Sequence, residues 1–209
     1  MVETIMTAVL AVELAYIAVQ WVRELWGNRV IAPESLCTAE MSETDLEMQQ
    51  QTVQIMRDTF GTDINESIQK LSAAERIQKA EEFVNNLTMI YGLDIKIEFF
   101  GENRVHCGHY NMKENSLNLN VADLLSKNEE NIYEFFDTIF HELRHAVQWK
   151  AVQEEGFWNV EENTREQWLH NFDNYISVNV DPQGYALQTI EADARTFATG
   201  CLKGVMNHV

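Results

Sequence analysis

The chain has 209 residues, enough for one sizeable core with or without a helical extension. Its formal net charge is −18, from 15 basic and 33 acidic side chains, and no basic run occurs anywhere, which excludes a phosphate-reading surface and with it nucleic acid as a partner. A 45% apolar content with only two prolines and nine glycines argues against a disordered or many-stranded chain and favours long helices.

The N-terminal segment from Ile5 to Val22 is almost wholly apolar. It is barely long enough to cross a bilayer, carries Glu13 near its middle and has no Lys or Arg before it. A carboxylate at the bilayer centre is costly, so the expectation is a helix over residues 2–26 buried in protein. It would pack on this chain's own core or on a second copy in a homo-oligomer. No basic n-region or cleavage site marks a secretory signal. The three cysteines, Cys37, Cys107 and Cys201, are odd in number and far apart, which points to a reducing compartment, the cytoplasm.

Helical spacing runs from about Ser42 to Phe60 and stops at Gly61. A further helix starts at Ser72, with Glu75 three residues on as a capping box, and carries the stripe Ile77, Ala80, Val84, Leu87 and Tyr91 up to Gly92. The pattern then changes. Leu93, Ile95, Ile97 and Phe99 alternate with polar residues, Gly101-Glu102-Asn103 is a turn, and Val105–Tyr110 and Leu117–Val121 read as strands joined through Lys113-Glu114-Asn115. Residues 93–121 are therefore expected to form a small antiparallel sheet of about three strands.

Helices return at Asn128, with a core stripe of Ile132, Phe136, Ile139, Leu143 and Val147 that should end before Gly156. A shorter helix covers about Glu161 to His170. The last starts at Asp181-Pro182, carries Leu187, Ile190, Ala194, Phe197 and Cys201, and should close at Gly200 or Gly204. The order of elements predicts an α+β fold, with residues 1–65 as an N-terminal helical extension on a domain at 66–209.

Within the Asn128 helix lies His141-Glu142-Leu143-Arg144-His145. Two His four apart on a helix lie about 40° apart around the axis, so both imidazoles can reach one ion, and Glu142 between them is placed to act as a general base. Leu143 belongs to the core stripe, so the His face looks away from the core. Catalytic zinc needs a third protein ligand. The downstream candidates are Glu154, Glu155, Glu161, Glu162, Glu166, His170, Asp173, Asp181, Glu191 and Asp193. Glu191 leads on spacing, being mid-helix and flanked by Ala192 and Ala194, ahead of His170 and Asp193; its bland alternative is an exposed ion pair with Arg195. Asp137 and Asp193 are candidates for orienting the ligand His. His106-Cys107-Gly108-His109 holds three ligand-type side chains but lacks further paired Cys or His, and Trp149 and Trp168 are core residues or cleft walls.

Phe140–Gln148, followed by Ile190-Glu191-Ala192-Asp193-Ala194, resembles the compact zincin metallopeptidases with a glutamate third ligand, of the ImmA/IrrE type. The likeness covers about residues 75–200 and leaves residues 1–70 outside it; no N-terminal helix-turn-helix is found. It implies a zincin-like fold with the small sheet just before the active helix, Zn2+ held by His141, His145 and Glu191, and hydrolysis of a protein or peptide substrate with Glu142 as base. Tyr185, Tyr175 and His109 are the candidates for stabilising the oxyanion, and Leu117–Val121 for an edge strand that receives an extended peptide. The alternative is a zincin-fold regulatory or binding protein that keeps the metal and cleaves nothing.

Overall fold

The computed structural model describes residues 38–101 and 107–206. The expected helix at 2–26, Cys37 and His106 lie outside the described residues. Helix α1 (Glu43–Phe60) begins at Ser42, whose hydroxyl accepts from Asp45 N–H while the Asp45 carboxylate accepts from Ser42 N–H. It ends at Gly61, where φ is +83°, a conformation that favours glycine. The short α2 (Ile64–Gln69) leads to α3 (Ala73–Ile90), which starts from the expected Ser72–Glu75 capping box.

Three strands follow: β1 (Lys96–Phe100), β2 (Gly108–Asn111) and β3 (Ser116–Asn120). The sheet order is β1-β3-β2. β2 and β3 form the expected hairpin across Lys113-Glu114-Asn115, but β1 pairs with β3 in parallel, Lys96 opposite Ser116 and Phe100 opposite Asn120. The sheet is thus mixed and not antiparallel throughout. Alternation of apolar and polar residues assigns faces to a strand; it carries no information on the direction of the neighbour. The order also makes β3 the central strand, so Leu117–Val121 offers no open edge.

Helix α4 (Glu129–Gln153) starts at Asn128, whose side chain accepts from Glu130 N–H. Its stripe Ile132, Phe136, Ile139, Leu143 and Val147 is wholly buried. Phe136 meets Phe60 and Phe83 edge to face with ring centroids 5.2 and 5.7 Å apart, and Phe140 meets Phe83 at 6.2 Å. The core is therefore shared by α1, α3 and α4, and α1, although part of the expected extension, contributes Val53, Met56 and Phe60 to it.

A 3₁₀ turn (Phe157–Asn159) and α5 (Glu162–Asp173) precede two further helices, α6 (Pro182–Leu187) and α7 (Thr189–Met206). One continuous helix from Asp181 was expected. It breaks at Gln188, which is extended because its carboxamide pairs with the backbone of Ile176: Ile176 N–H donates to Oε1 at 2.8 Å and Nε2 donates to Ile176 O at 3.0 Å. Nor do Gly200 and Gly204 close α7, which continues to Met206. They serve packing instead. A Cβ on Gly204 would stand 2.7 Å from Val53 Cγ2, and one on Gly200 would overlap the Gln49 carboxamide, which donates to Phe197 O. These two positions let α1 seat directly on α7.

Among the described residues, no helix is long and apolar enough to cross a membrane.

Gly200→Ala gains about 1 kcal/mol of helix propensity. It also overfills the α1–α7 contact and displaces a buried hydrogen bond, a cost of roughly 1–3 kcal/mol for the overpacking and about 1 kcal/mol for the bond. The expected outcome is a net loss of stability, read as a lower midpoint in urea; an unchanged or higher midpoint would show that α1 does not depend on this contact.

Candidate metal centre

The site is built where α7 crosses α4. The His face of α4 is opposite its core stripe, and Glu191 enters from the first turn of α7. Glu191 Oε2 is 3.2 Å from His141 Nε2, Oε1 is 3.5 Å from His145 Nε2, and the two Nε2 atoms are 3.0 Å apart. Among the described residues, these three side chains alone bring ligand atoms within 4.8 Å of one another. Glu191 is 1% exposed, so the surface ion pair is not its setting; Arg195 reaches Oε2 only at 3.9 Å.

Two further observations fit this trio to a cation. Glu191 Oε2 is buried with no aligned hydrogen-bond donor, and His141 Nε2 approaches it at 3.2 Å. The two imidazole nitrogens face each other at a distance that needs a proton or a cation between them. Two nitrogens and one carboxylate oxygen form a donor set that could hold a metal ion.

Without a metal, a proton takes the cation's place. Burial works against the His145 cation, but the Glu191 carboxylate beside it outweighs burial and pushes the imidazole up to about 9. Burial likewise opposes ionisation of Glu191, and the two His outweigh it and hold its carboxyl well below the usual carboxylate range.

Glu142 is not part of the trio. Its Oε2 accepts from Tyr110 N–H at 2.8 Å. In the β2–β3 ladder Asn120 N–H donates to Cys107 O, and alternate residues bond, so the N–H of Tyr110 points away from β3. The free edge of β2 thus faces α4. Gly108 permits the approach: a Cβ there would lie 2.9 Å from Thr138 Cγ2 on α4 and 2.8 Å from Asn118 O on β3.

The remaining sequence candidates separate clearly. Tyr175 donates from its hydroxyl to Glu191 Oε1 at 2.9 Å, and Tyr185 stands within hydrogen-bonding reach of the same carboxylate. Burial, and then the Glu191 charge, push both phenols up. His109 is exposed on β2, opposite Asn118. Asp193 accepts from Arg144 and Gln148, not from a ligand His, and His170 lies in a separate polar hollow with Glu166 and Asn171. Burial pushes Asp137 up, against the pull of nearby His141. Trp168 is buried under Arg144, and Trp149 packs edge to face on Phe172 at 5.1 Å.

Three participants escaped the sequence reading. Gln148, whose Oε1 lies 2.8 Å from His145 Nδ1, follows His145 by three positions, a spacing that is itself a signal. Arg144 sits inside the motif, where its helical register already turns it from the His face. Asp45, 2.6 Å from Arg144 Nη1, has no local signal at all.

Compared with known proteins, the chain matches no family model, no curated protein and no solved structure.

The ion pair implies a pH dependence for the metal-free protein. His145 has a folded pKa of about 9, above the ordinary value of 6.5, so its contribution is complete below pH 6.5 and lost as pH rises through 9. The Glu191 contribution, from a depressed pKa, is complete above the ordinary 4.5 and lost on acidification below it. In chelator, the stability advantage of wild type over Glu191→Gln should therefore be largest between these values and shrink from pH 6.5 to 9. An advantage that grows over that interval in thermal melts would mean that the pair does not carry a proton.

Proposed function

We propose that this protein is a zinc-dependent peptidase that hydrolyses peptide bonds in a protein or peptide substrate. The observation that carries the reading is the convergence of His141, His145 and Glu191 on one point, with Glu142 anchored beside them by an edge-strand N–H. The resemblance of Phe140–Gln148 and Ile190–Ala194 to the zincins supports it and is independent of the geometry.

His141, His145 and Glu191 would hold the ion. When bound there, zinc would supply the Lewis acidity that activates a water and polarises a carbonyl. Glu142 takes the proton of the attacking water as its oxygen bonds to the scissile carbon, and delivers it to the amine as the C–N bond breaks. Tyr110 N–H engages only one oxygen of Glu142, which orients the carboxylate and leaves Oε1 for the proton. Tyr175 and Tyr185, held as neutral phenols at Glu191, are the hydroxyl donors nearest the centre and the better placed of the three oxyanion candidates. Leu117–Val121 lies on the central strand, and the outer edge of β2 faces α4, where Tyr110 N–H is committed to Glu142. Cleavage in a reducing compartment agrees with the odd number and wide separation of Cys37, Cys107 and Cys201 in the sequence.

Elemental analysis should find one zinc per wild-type chain and little in Glu191→Ala. Glu142→Gln keeps size and removes the base, so zinc stays and cleavage of a peptide library falls by roughly 10²-fold or more. Zinc-loaded wild type that cleaves no member of the library would favour the alternative, a regulatory protein that retains the metal.

A further inference from the structure

Gln148 is wholly buried, and its amide can face His145 in only one way. Its Nε2 donates to Ile190 O at 2.9 Å and to Asp193 Oδ2 at 2.6 Å, and both partners accept only. The nitrogen end is therefore committed, and the oxygen end must be the one 2.8 Å from His145 Nδ1. An oxygen there accepts, so Nδ1 carries hydrogen, and neutral His145 presents an unprotonated Nε2 to Glu191 and His141.

What holds Asp193 is equally constrained. Arg144 donates to both of its oxygens, Nε to Oδ2 at 2.7 Å and Nη2 to Oδ1 at 2.9 Å. Its remaining nitrogen, Nη1, is 2.6 Å from Asp45 Oδ1 on α1. The guanidinium is 1% exposed and lies 5.0 to 5.7 Å from the ring centroids of Phe197, Trp168 and Trp158, so it has no water to turn to. Trp158 also donates from Nε1 to the same Asp45 oxygen.

We infer that Asp45, Arg144, Asp193 and Gln148 form a chain of positioning residues that runs from the first turn of α1 to His145 and sets the tautomer with which His145 meets a metal ion. This rests on the metal reading above. It adds that α1, outside the stretch resembling the zincins, is a working part of the centre.

The test is zinc affinity of full-length protein by competition with a chromophoric chelator, with folding checked by far-UV circular dichroism. The second readout is solvent exchange of the His145 Nδ1–H proton in the zinc-loaded protein. Gln148→Leu removes the acceptor and should weaken zinc by about 10- to 100-fold. Asp45→Asn, on α1 and remote from the ion, should weaken it by about 3- to 10-fold and speed exchange of the Nδ1–H proton, as the loosened chain lets the Gln148 amide move. Arg144→Lys keeps the charge but cannot bridge two carboxylates, and should behave like Asp45→Asn. If Gln148→Leu fails to fold, Asp45→Asn decides. Folded Asp45→Asn with wild-type affinity and wild-type exchange overturns the chain and leaves the metal reading intact. Wild type that binds no zinc overturns the metal reading, and the chain's role in metal binding with it.

Discussion

A carboxylate with 1% of its surface exposed cannot stand uncompensated, and Glu191 imposes that demand at the crossing of α4 and α7. The buried guanidinium of Arg144 is paired with two other buried carboxylates, Asp45 and Asp193. Arg195 is a third exposed and reaches Glu191 at only 3.9 Å, so it screens more than it neutralises. The Glu191 charge is thus left for whatever sits between the imidazoles. A proton on His145 or a metal cation between the imidazoles offsets it, so the Glu191 Oε2 without an aligned donor and the facing Nε2 atoms express one demand for positive charge.

The geometry that serves this demand follows from helix register. On α4 the core stripe through Leu143 and Val147 fixes the helix rotation, and that rotation sends His141 and His145 to one side and Arg144 to another, toward α1 and α7. Alanines at 192 and 194 and glycines at 200 and 204 keep α7 thin where it meets α4 and α1. The side chains of the site are therefore placed by apolar packing elsewhere on the same helices, and a change in the core at Phe136 or Phe140 would be felt as a rotation of the ligand face.

Much of this was legible in the sequence because it is local. Capping boxes, the apolar stripe of α4 and the four-residue spacing of the His each lie within one element, where backbone geometry alone converts spacing into direction. What escaped is non-local. The parallel pairing of β1 with β3 leaves no trace in alternation, since a strand reads the same to a neighbour of either direction. The break at Gln188 depends on Ile176, twelve positions earlier, and helical periodicity runs straight through it. Asp45 looks like an ordinary cap at the start of an ordinary helix. Glu191 lay between these cases: its spacing put it ahead of nine other acidic or His candidates by a narrow margin, and the resemblance widened that margin.

Asp45 also shows why a helix start and a distant site can be tied together. Its two oxygens divide the work. Oδ2 takes the backbone N–H and hydroxyl of Ser42 at 2.8 and 2.7 Å, which caps α1, while Oδ1 accepts from Trp158 at 2.8 Å and forms an ion pair, without hydrogen-bond alignment, with Arg144 Nη1 at 2.6 Å. Burial alone would favour its neutral form, and Arg144 with the Ser42 and Trp158 donors reverses that and holds the carboxyl below its ordinary value. A protonated or amide side chain cannot accept on both sides at once, so one of the two tasks must yield. If the cap yields, α1 frays at its first turn; if the ion pair yields, Arg144 retains Asp193 but loses the anchor that fixes its rotation among the three rings. The start of α1 and the orientation of His145 are therefore tied to one ionised carboxylate.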